Sequence, residues 1–229
     1  MIRTTAAGDV RVVTLARPER RNALDRDALR DLAASVAAAT EPVLYLRGEG
    51  AAFCAGADLS VVRDLDAAAA AEFAALGQRV AATIEAYDGA VVAGIDGPAR
   101  GGGVELALAC DLRVATPEAT LAEPGVALGL FGAWGGTHRL PRVVGESAAL
   151  DLALSGRVVD ADEARRLGLV SRVVADPRAA ADDLAAVDHR ALRRLKRLFR
   201  DRRADRAARR RAEARERAAF ADLAPAADP

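Results

Sequence analysis

The sequence predicts an α/β fold with parallel strands, and three observations carry that prediction. Short apolar, β-branched runs alternate with stretches of helical periodicity along most of the chain. Two of those strands run into helices through glycine-containing joints, at Phe53-Cys54-Ala55-Gly56-Ala57-Asp58 and at Gly101-Gly102-Gly103. With 229 residues, 52% of them hydrophobic, the chain can bury a sizeable core.

Taken in order, Ile2 to Thr5 and Val10 to Leu15 read as strands about a turn at Ala7-Gly8-Asp9. A polar loop over residues 17–24 leads to Asp25, which can cap a helix from Arg26 to Ala39 with Leu29, Leu32 and Val36 on one face. Pro42 ends that pattern, and Val43 to Leu46 is a short strand of the buried type. Ala57-Asp58-Leu59-Ser60 resembles a helix start, with Asp58 near the positive dipole end. A long Ala-rich helix from about Ala67 to Tyr87 precedes the strand Ala90 to Ile95, the glycine triplet and a helical run over Val104 to Ala109. Leu112 to Ala115 is a further strand, and Thr116-Pro117-Glu118 turns the chain into Thr120-Leu121-Ala122. Residues 125–136 are glycine-rich and hold the single tryptophan, Trp134, which either walls a pocket or packs. Helices over Ser147 to Leu154 and Ala161 to Leu167 flank an extended piece at Val158-Val159, and Ser171 to Val174 is a last strand. From Pro177 the pattern is helical and rich in arginine, so a boundary falls near residue 175.

The two glycine joints are one device used twice. In parallel α/β layouts ligands lie beyond the carboxyl ends of strands. If the two strands are neighbours, backbone N–H groups from both joints can converge on one point and stabilise a developing oxyanion. Glu105, in the first turn after the triplet, stands beside that point as a proton carrier. Taken alone, the triplet is only a tight packing turn and Glu105 a dipole-complementing glutamate.

Several motifs in order resemble those of the crotonase superfamily, the enoyl-CoA hydratase/isomerase family. Residues 17–24, 53–59 and 101–111 resemble its opening motif and its two signatures. Gly135 to Arg142, and Leu154 to Val170 with its Ala161 and Glu163-Ala164, resemble its later segments. The resemblance implies a spiral of ββα units over residues 1–175, which binds acyl-CoA and carries the chemistry. It implies that residues 176–229 form a helical cap that also mediates oligomerisation, as a trimer or hexamer. By position, the N–H groups of Ala57 and Gly102 are the oxyanion donors and Glu105 the acid/base. Asn22, Ala23 and Leu24, together with Ala55, Ala57, Asp58, Leu59 and Gly102, are expected along the CoA path. The resemblance implies no metal and no cofactor beyond the CoA of the substrate.

One departure bears on mechanism. Hydratases of the family carry a second glutamate where this chain has Gly125, in the run Ala122-Glu123-Pro124-Gly125. Glu123 lies two positions upstream, on the same side of an extended segment, and is a secondary candidate. With one clear carboxylate the mechanism tilts toward double-bond isomerisation, which can run on a single shuttling carboxylate, while the breadth of the family tilts toward hydration of a 2-enoyl-CoA. A family member that binds acyl-CoA without turning it over is the alternative.

Other features carry less. Cys54 reads as a small packing residue rather than a nucleophile, Asp58 as a helix-start residue, and His138 and His189 as packing or surface histidines. The arginines of residues 190–217 tempt an RNA-binding reading, but Asp201, Asp205, Glu213 and Glu216 interleave with them. Leu192, Leu195 and Phe199 form an apolar stripe, so the segment reads as a solvated face over an amphipathic helix. Net charge is zero, which gives no overall pull toward nucleic acid or membrane. No secretory signal pattern and no bilayer-length apolar run is visible, and two distant cysteines show no ligand spacing. A cytoplasmic enzyme is expected.

Overall fold

The computed structural model describes residues 1–201 and 206–223. Asp205 and the Pro/Ala/Asp tail from residue 224 lie outside the described residues. The hairpin is β1 (Ile2–Ala7) and β2 (Val10–Leu15), followed by α1 (Arg26–Ala37) and β3 (Val43–Gly48). Then come α2 (Leu59–Val62), α3 (Ala67–Ala86), β4 (Ala90–Ile95), β5 (Pro98–Arg100) and α4 (Gly102–Ala109). β6 (Leu112–Ala115) and β7 (Thr120–Ala122) lead through a 3-10 turn, Pro124–Leu128, to α5 (Gly136–Val144) and α6 (Glu146–Ser155). β8 (Val159–Asp160), α7 (Ala161–Arg166) and β9 (Arg172–Val173) complete the sheets, and α8 (Arg178–Ala185), α9 (His189–Asp201) and α10 (Arg206–Asp222) close the described chain.

Six strands form one sheet in the order β1-β2-β3-β4-β6-β9, antiparallel only at the β1–β2 edge. A second layer has the order β5-β7-β8 and is extended by single parallel bridges at Cys54–Ala99 and Leu24–Ala57. Each turn of the chain therefore lays one strand in the large sheet, one short extended piece in the second layer, and then a helix. β4, β5 and α4 make one such turn, and Val43–Gly48, Cys54 and α3 make another. This is the ββα spiral that the resemblance implies, built on the parallel α/β layout expected from the strand and helix pattern.

Burial explains the layering. β4 is buried at every residue, as a central parallel strand must be. On one face of the sheet, Leu29, Leu32 and Val36 of α1 and Phe73, Val80 and Ile84 of α3 join the main core. Each fully buried Leu or Phe there contributes about 1.5–3 kcal/mol. On the other face, Ala180 and Ala181 of α8 cover Val43, Tyr45, Val92 and Val114. Asp25, Asp66 and Asp160 each cap a helix by accepting from a backbone N–H three residues on.

Helix α9 departs from the sequence reading. Its Leu195, Leu198 and Phe199 are more than half exposed, while Lys196 and Arg200 turn inward. Lys196 pairs with Asp111 at 2.7 Å, and Arg200 with Asp111 at 2.7 Å and Glu85 at 2.6 Å. Arg197 grips Asp88 through both carboxylate oxygens. Three acidic residues on the core surface thus decide which face of α9 docks.

Candidate active site

A cavity of about 280 Å³ opens where the second layer turns into helices. Its walls come from Ala55, Ala57 and Leu59, from Gly101, Gly102 and Glu105, and from the 124–134 segment, with Phe220 of α10 above.

The first two walls are two loops held edge to edge. Phe53 N–H donates to Pro98 O, and Arg100 N–H to Cys54 O. Leu24 straddles Ala57: its N–H donates to Gly56 O and its O accepts from Asp58 N–H. That pairing leaves the Ala57 N–H without an internal acceptor among the described residues. Gly102 is the first residue of α4, where an N–H has no helical partner, and none is supplied by the surrounding described residues. The two loops touch: a Cβ on Gly56 would lie 2.8 Å from Gly102 N. Gly101 turns the chain with φ +48°, a conformation open to glycine. Two unpaired donors on one apolar cavity can receive one anionic oxygen.

Trp134 wedges the site open. A Cβ on Gly77 of α3 or on Gly102 would overlap its indole ring, and Phe73 meets it edge-on at 5.9 Å. It is 3% exposed and lines the cavity, so it both walls and packs.

Glu105 is 1% exposed. Its Oε1 accepts the N–H groups of Trp134 at 2.8 Å and Gly136 at 2.7 Å. Burial, helped by the charge of Glu216, pushes its carboxyl up to about 8 against the pull of those two amides. Glu123 leaves β7 at the start of the 3-10 turn. Its Oε1 is buried with no hydrogen-bond partner among the described residues. Burial and the neighbouring Glu105 and Glu216 hold it well above the ordinary carboxylate range. Both carboxylates converge on Gly132. A Cβ there would lie 2.8 Å from Glu105 Oε2 and 3.0 Å from Glu123 Oε2.

Gly125 also lines the cavity, but a Cβ on it would sit 2.7 Å from Phe131 Cα. The backbone of Leu130 and Phe131 fills the room that a larger residue at 125 would need. The second carboxylate near Glu105 is Glu123, the position that sequence spacing ranks second; it stands behind Gly132 and is not part of the cavity lining.

The loop expected along the CoA path lies differently. Asn22, Ala23 and Leu24 are buried behind the wall, not on it. Asn22 Nδ2 donates to Glu49 O, Ala52 O and Phe53 O, and its Oδ1 accepts from Arg17 N–H, so it braces the loop that presents Ala55 and Ala57. Arg21, next to it, reaches the cavity instead. Asp58 is likewise behind the wall: it caps α2 through Ser60 N–H and pairs with Arg17 at 3.1 Å. Cys54 is fully buried, and burial holds its thiol at about 12, which suits packing and not attack. His138 is buried beside Glu213, 3.7 Å away, outside the cavity. Among the described residues no cluster of three or more His, Cys, Asp or Glu has metal-binding geometry, and no helix is long and apolar enough to cross a membrane.

Sequence reasoning missed α5, which begins at Gly136 and contains Pro141. It also missed Glu216 and Gln78, which meet beside the site at 2.8 Å. Neither stands out in sequence, because helical periodicity does not mark a buried polar pair.

A family model described as Enoyl-CoA hydratase/isomerase matches residues 5–222. The chain is 43% identical over 168 residues to a crotonyl-CoA hydratase of Syntrophomonas wolfei, a match covering 71% of this chain and 65% of that protein, a little under two thirds. It is similar in structure to an enoyl-CoA hydratase of Bacillus anthracis, with a TM-score of 0.83 and 30% identity over 94% of this chain and 88% of that one. Pseudomonas aeruginosa DspI has the same TM-score, at 36% identity over 97% and 94% of the two chains.

Proposed function

The chain belongs to the enoyl-CoA hydratase/isomerase family, and we propose that it hydrates a 2-enoyl-CoA. The observation that carries this reading is the pair of carboxylates, Glu105 and Glu123, converging on Gly132 beside two unpaired N–H groups. Hydration needs two proton carriers, and isomerisation can run on one. Glu123 supplies the carrier that Gly125 leaves out, which favours hydration over the isomerisation also compatible with the sequence.

In this mechanism the thioester oxygen lies against the N–H groups of Ala57 and Gly102. Glu105 is the base, because two N–H bonds to its Oε1 favour the charged form. Glu123 is the acid, because no donor favours ionisation of its Oε1. Glu105 Oε2 takes a proton from water as the water oxygen bonds to C3. The electrons of the double bond move toward the thioester oxygen, where the two N–H groups stabilise the enolate. Glu123 Oε2 then gives its proton to C2. Water has been added, and one proton passing from Glu105 to Glu123 restores the starting state. A donor of this kind is worth about 2.7–4 kcal/mol of transition-state stabilisation. Arg21, exposed on the cavity wall, supports binding of the CoA phosphates.

The test is incubation with crotonyl-CoA, following loss of the enoyl-thioester absorbance and formation of the 3-hydroxyacyl product. Turnover is expected. Thermal stabilisation by the thioester without turnover would instead identify a binder, and turnover of 3-enoyl-CoA alone an isomerase. Assembly as a homotrimer or hexamer is part of the same reading, supported by the exposed Leu195, Leu198 and Phe199 of α9. Sedimentation at the mass of three or six chains is expected, and a monomer at micromolar concentration would contradict it. RNA binding loses its main support, since Arg197, Arg200 and Arg209 are paired with acidic residues of the chain itself.

A further inference from the structure

Helix α10 brings a third carboxylate to the site. Glu216 is 4% exposed. Its Oε1 accepts from Thr137 N–H at 3.2 Å and Thr137 Oγ1 at 2.7 Å, and its Oε2 from Gln78 Nε2 at 2.8 Å. A backbone N–H and an amide nitrogen can only donate, and the Thr137 hydroxyl can donate as well, so these contacts fit an ionised carboxylate. Thr137 follows Gly136, whose N–H holds Glu105. The start of α5 therefore anchors two carboxylates side by side, one from α4 and one from α10. Gln78 completes the link: the same Nε2 donates to Ala133 O at 3.0 Å, just before the Trp134 N–H that also holds Glu105.

Resting on the reading above, we infer that Glu216 is a positioning residue for the proposed reaction. Its negative charge makes ionisation of the Glu105–Glu123 pair more costly, so that the pair does not lose both protons at neutral pH and an acid stays available beside the base. Without that charge, burial and the mutual repulsion of the two carboxylates would have to hold the proton. The other charged groups around Glu216 are Glu213 and Arg217 on its own helix, His138 and Arg139 on α5, and Glu85 on α3. Glu85 is taken up by Arg139, Arg200 and Arg209. Glu213 is paired with Arg209, and Arg217 donates to Gln78 Oε1. None of these pairs supplies a direct counter-ion to Glu216 among the described residues, so its charge opposes ionisation of Glu105 and Glu123 through the buried interior. The burial of α10 against α3 and α5 thereby becomes part of the chemistry as well as of the packing.

The decisive experiment is the pH profile of kcat/KM for Glu216→Gln and Glu216→Asp in the full-length chain. The Gln variant is expected to shift the limb that reports deprotonation of the pair to lower pH by about one unit, with KM changed less than twofold. The Asp variant keeps the charge and is expected to keep the profile of the unaltered chain, even if kcat falls. A folded Gln variant with an unshifted profile would overturn the inference, and so would equal shifts in both variants. A second measurement needs no turnover: carboxyl-carbon NMR of the chain labelled at glutamate. Two buried glutamates should titrate together above the ordinary carboxylate range in the unaltered chain, and Glu216→Gln should move that joint titration to lower pH. Three independent titrations near the ordinary carboxylate range would overturn the inference as well. If the unaltered chain turns over no enoyl-CoA, the proposed activity fails, and the NMR titration still decides the electrostatic role of Glu216.

Discussion

Glu105 and Glu123 meet at one glycine, yet the regions that carry them are built in contrary ways. Glu105 rides on α4, a helix with all eight residues buried, and two amides fix one of its oxygens. Glu123 stands at the end of a three-residue strand, before an irregular turn of mostly exposed residues, with one oxygen left without a partner. An anchored carboxylate can be ionised in a dry site, because donors replace the lost water. An unanchored one in the same surroundings keeps its proton. The difference in support, more than any difference in residue type, separates base from acid.

That contrast is broken most severely at its fixed end. Glu105→Gln removes the base and presents an amide to two N–H donors. Turnover of crotonyl-CoA should fall by about 10³–10⁴-fold while the variant still binds the thioester, as calorimetry would check. Near-normal turnover would remove Glu105 from the mechanism. Glu123→Gln should lower hydration by about 10²-fold and spare isomerisation of a 3-enoyl-CoA to a greater degree. Equal loss of both activities would mean that Glu123 supports the loop rather than supplying a proton. Gly132→Ala places a methyl 2.8 Å from Glu105 Oε2 and 3.0 Å from Glu123 Oε2. It should cost about ten- to a hundredfold in kcat through misplacement of both groups, with a thermal midpoint close to that of the unaltered chain.

Two smaller effects sharpen the comparison through stability. Both carboxyls are raised in the folded state, Glu105 to about 8. Their contribution is therefore fully present below the ordinary carboxylate range of the unfolded chain and is lost as pH rises through about 8. The thermal midpoint should fall as pH rises from about 4.5 to about 8, and Glu123→Gln should flatten that fall. A midpoint that rose over the same interval would contradict the protonated state assigned to Glu123. The smallest effect is expected behind the wall. Asp58→Asn keeps a capping side chain at α2 but loses the ion pair with Arg17, which should cost about 1 kcal/mol in denaturant unfolding with little change in kcat.

Local chemistry made most of the spiral readable in sequence. β4, the glycine triplet and α4 are contiguous, and each announces itself by composition, periodicity or backbone freedom. The same holds for the Ala57 and Gly102 joints, whose neighbourhood follows from strand order. The rest depends on what arrives from elsewhere. The backbone of Leu130 and Phe131 occupies the space at Gly125, and Gly132 lies between Glu105 and Glu123; no spacing rule shows either. Helix α5 hides because it starts on a glycine and carries an internal proline, both signals of a break. Lys196 and Arg200 of α9 turn inward because Glu85 and Asp111 await them, and Arg197 meets Asp88 at the surface, on residues about 90 to 115 positions away in sequence. Asn22 looks like a ligand-facing loop residue until its amide is seen bracing three carbonyls.

Trp134, the chain's single tryptophan, is clamped between Gly77 and Gly102 on the cavity wall, with Phe73 at its edge. Its backbone N–H also holds Glu105. The near-ultraviolet emission of the whole protein therefore comes chiefly from one indole that touches the reaction chamber. Occupancy of the cavity, ionisation of Glu105 and loosening of α10 should each alter its colour or intensity. The protein carries its own optical reporter, and titrations of ligand and of pH can be followed by light without attaching a dye.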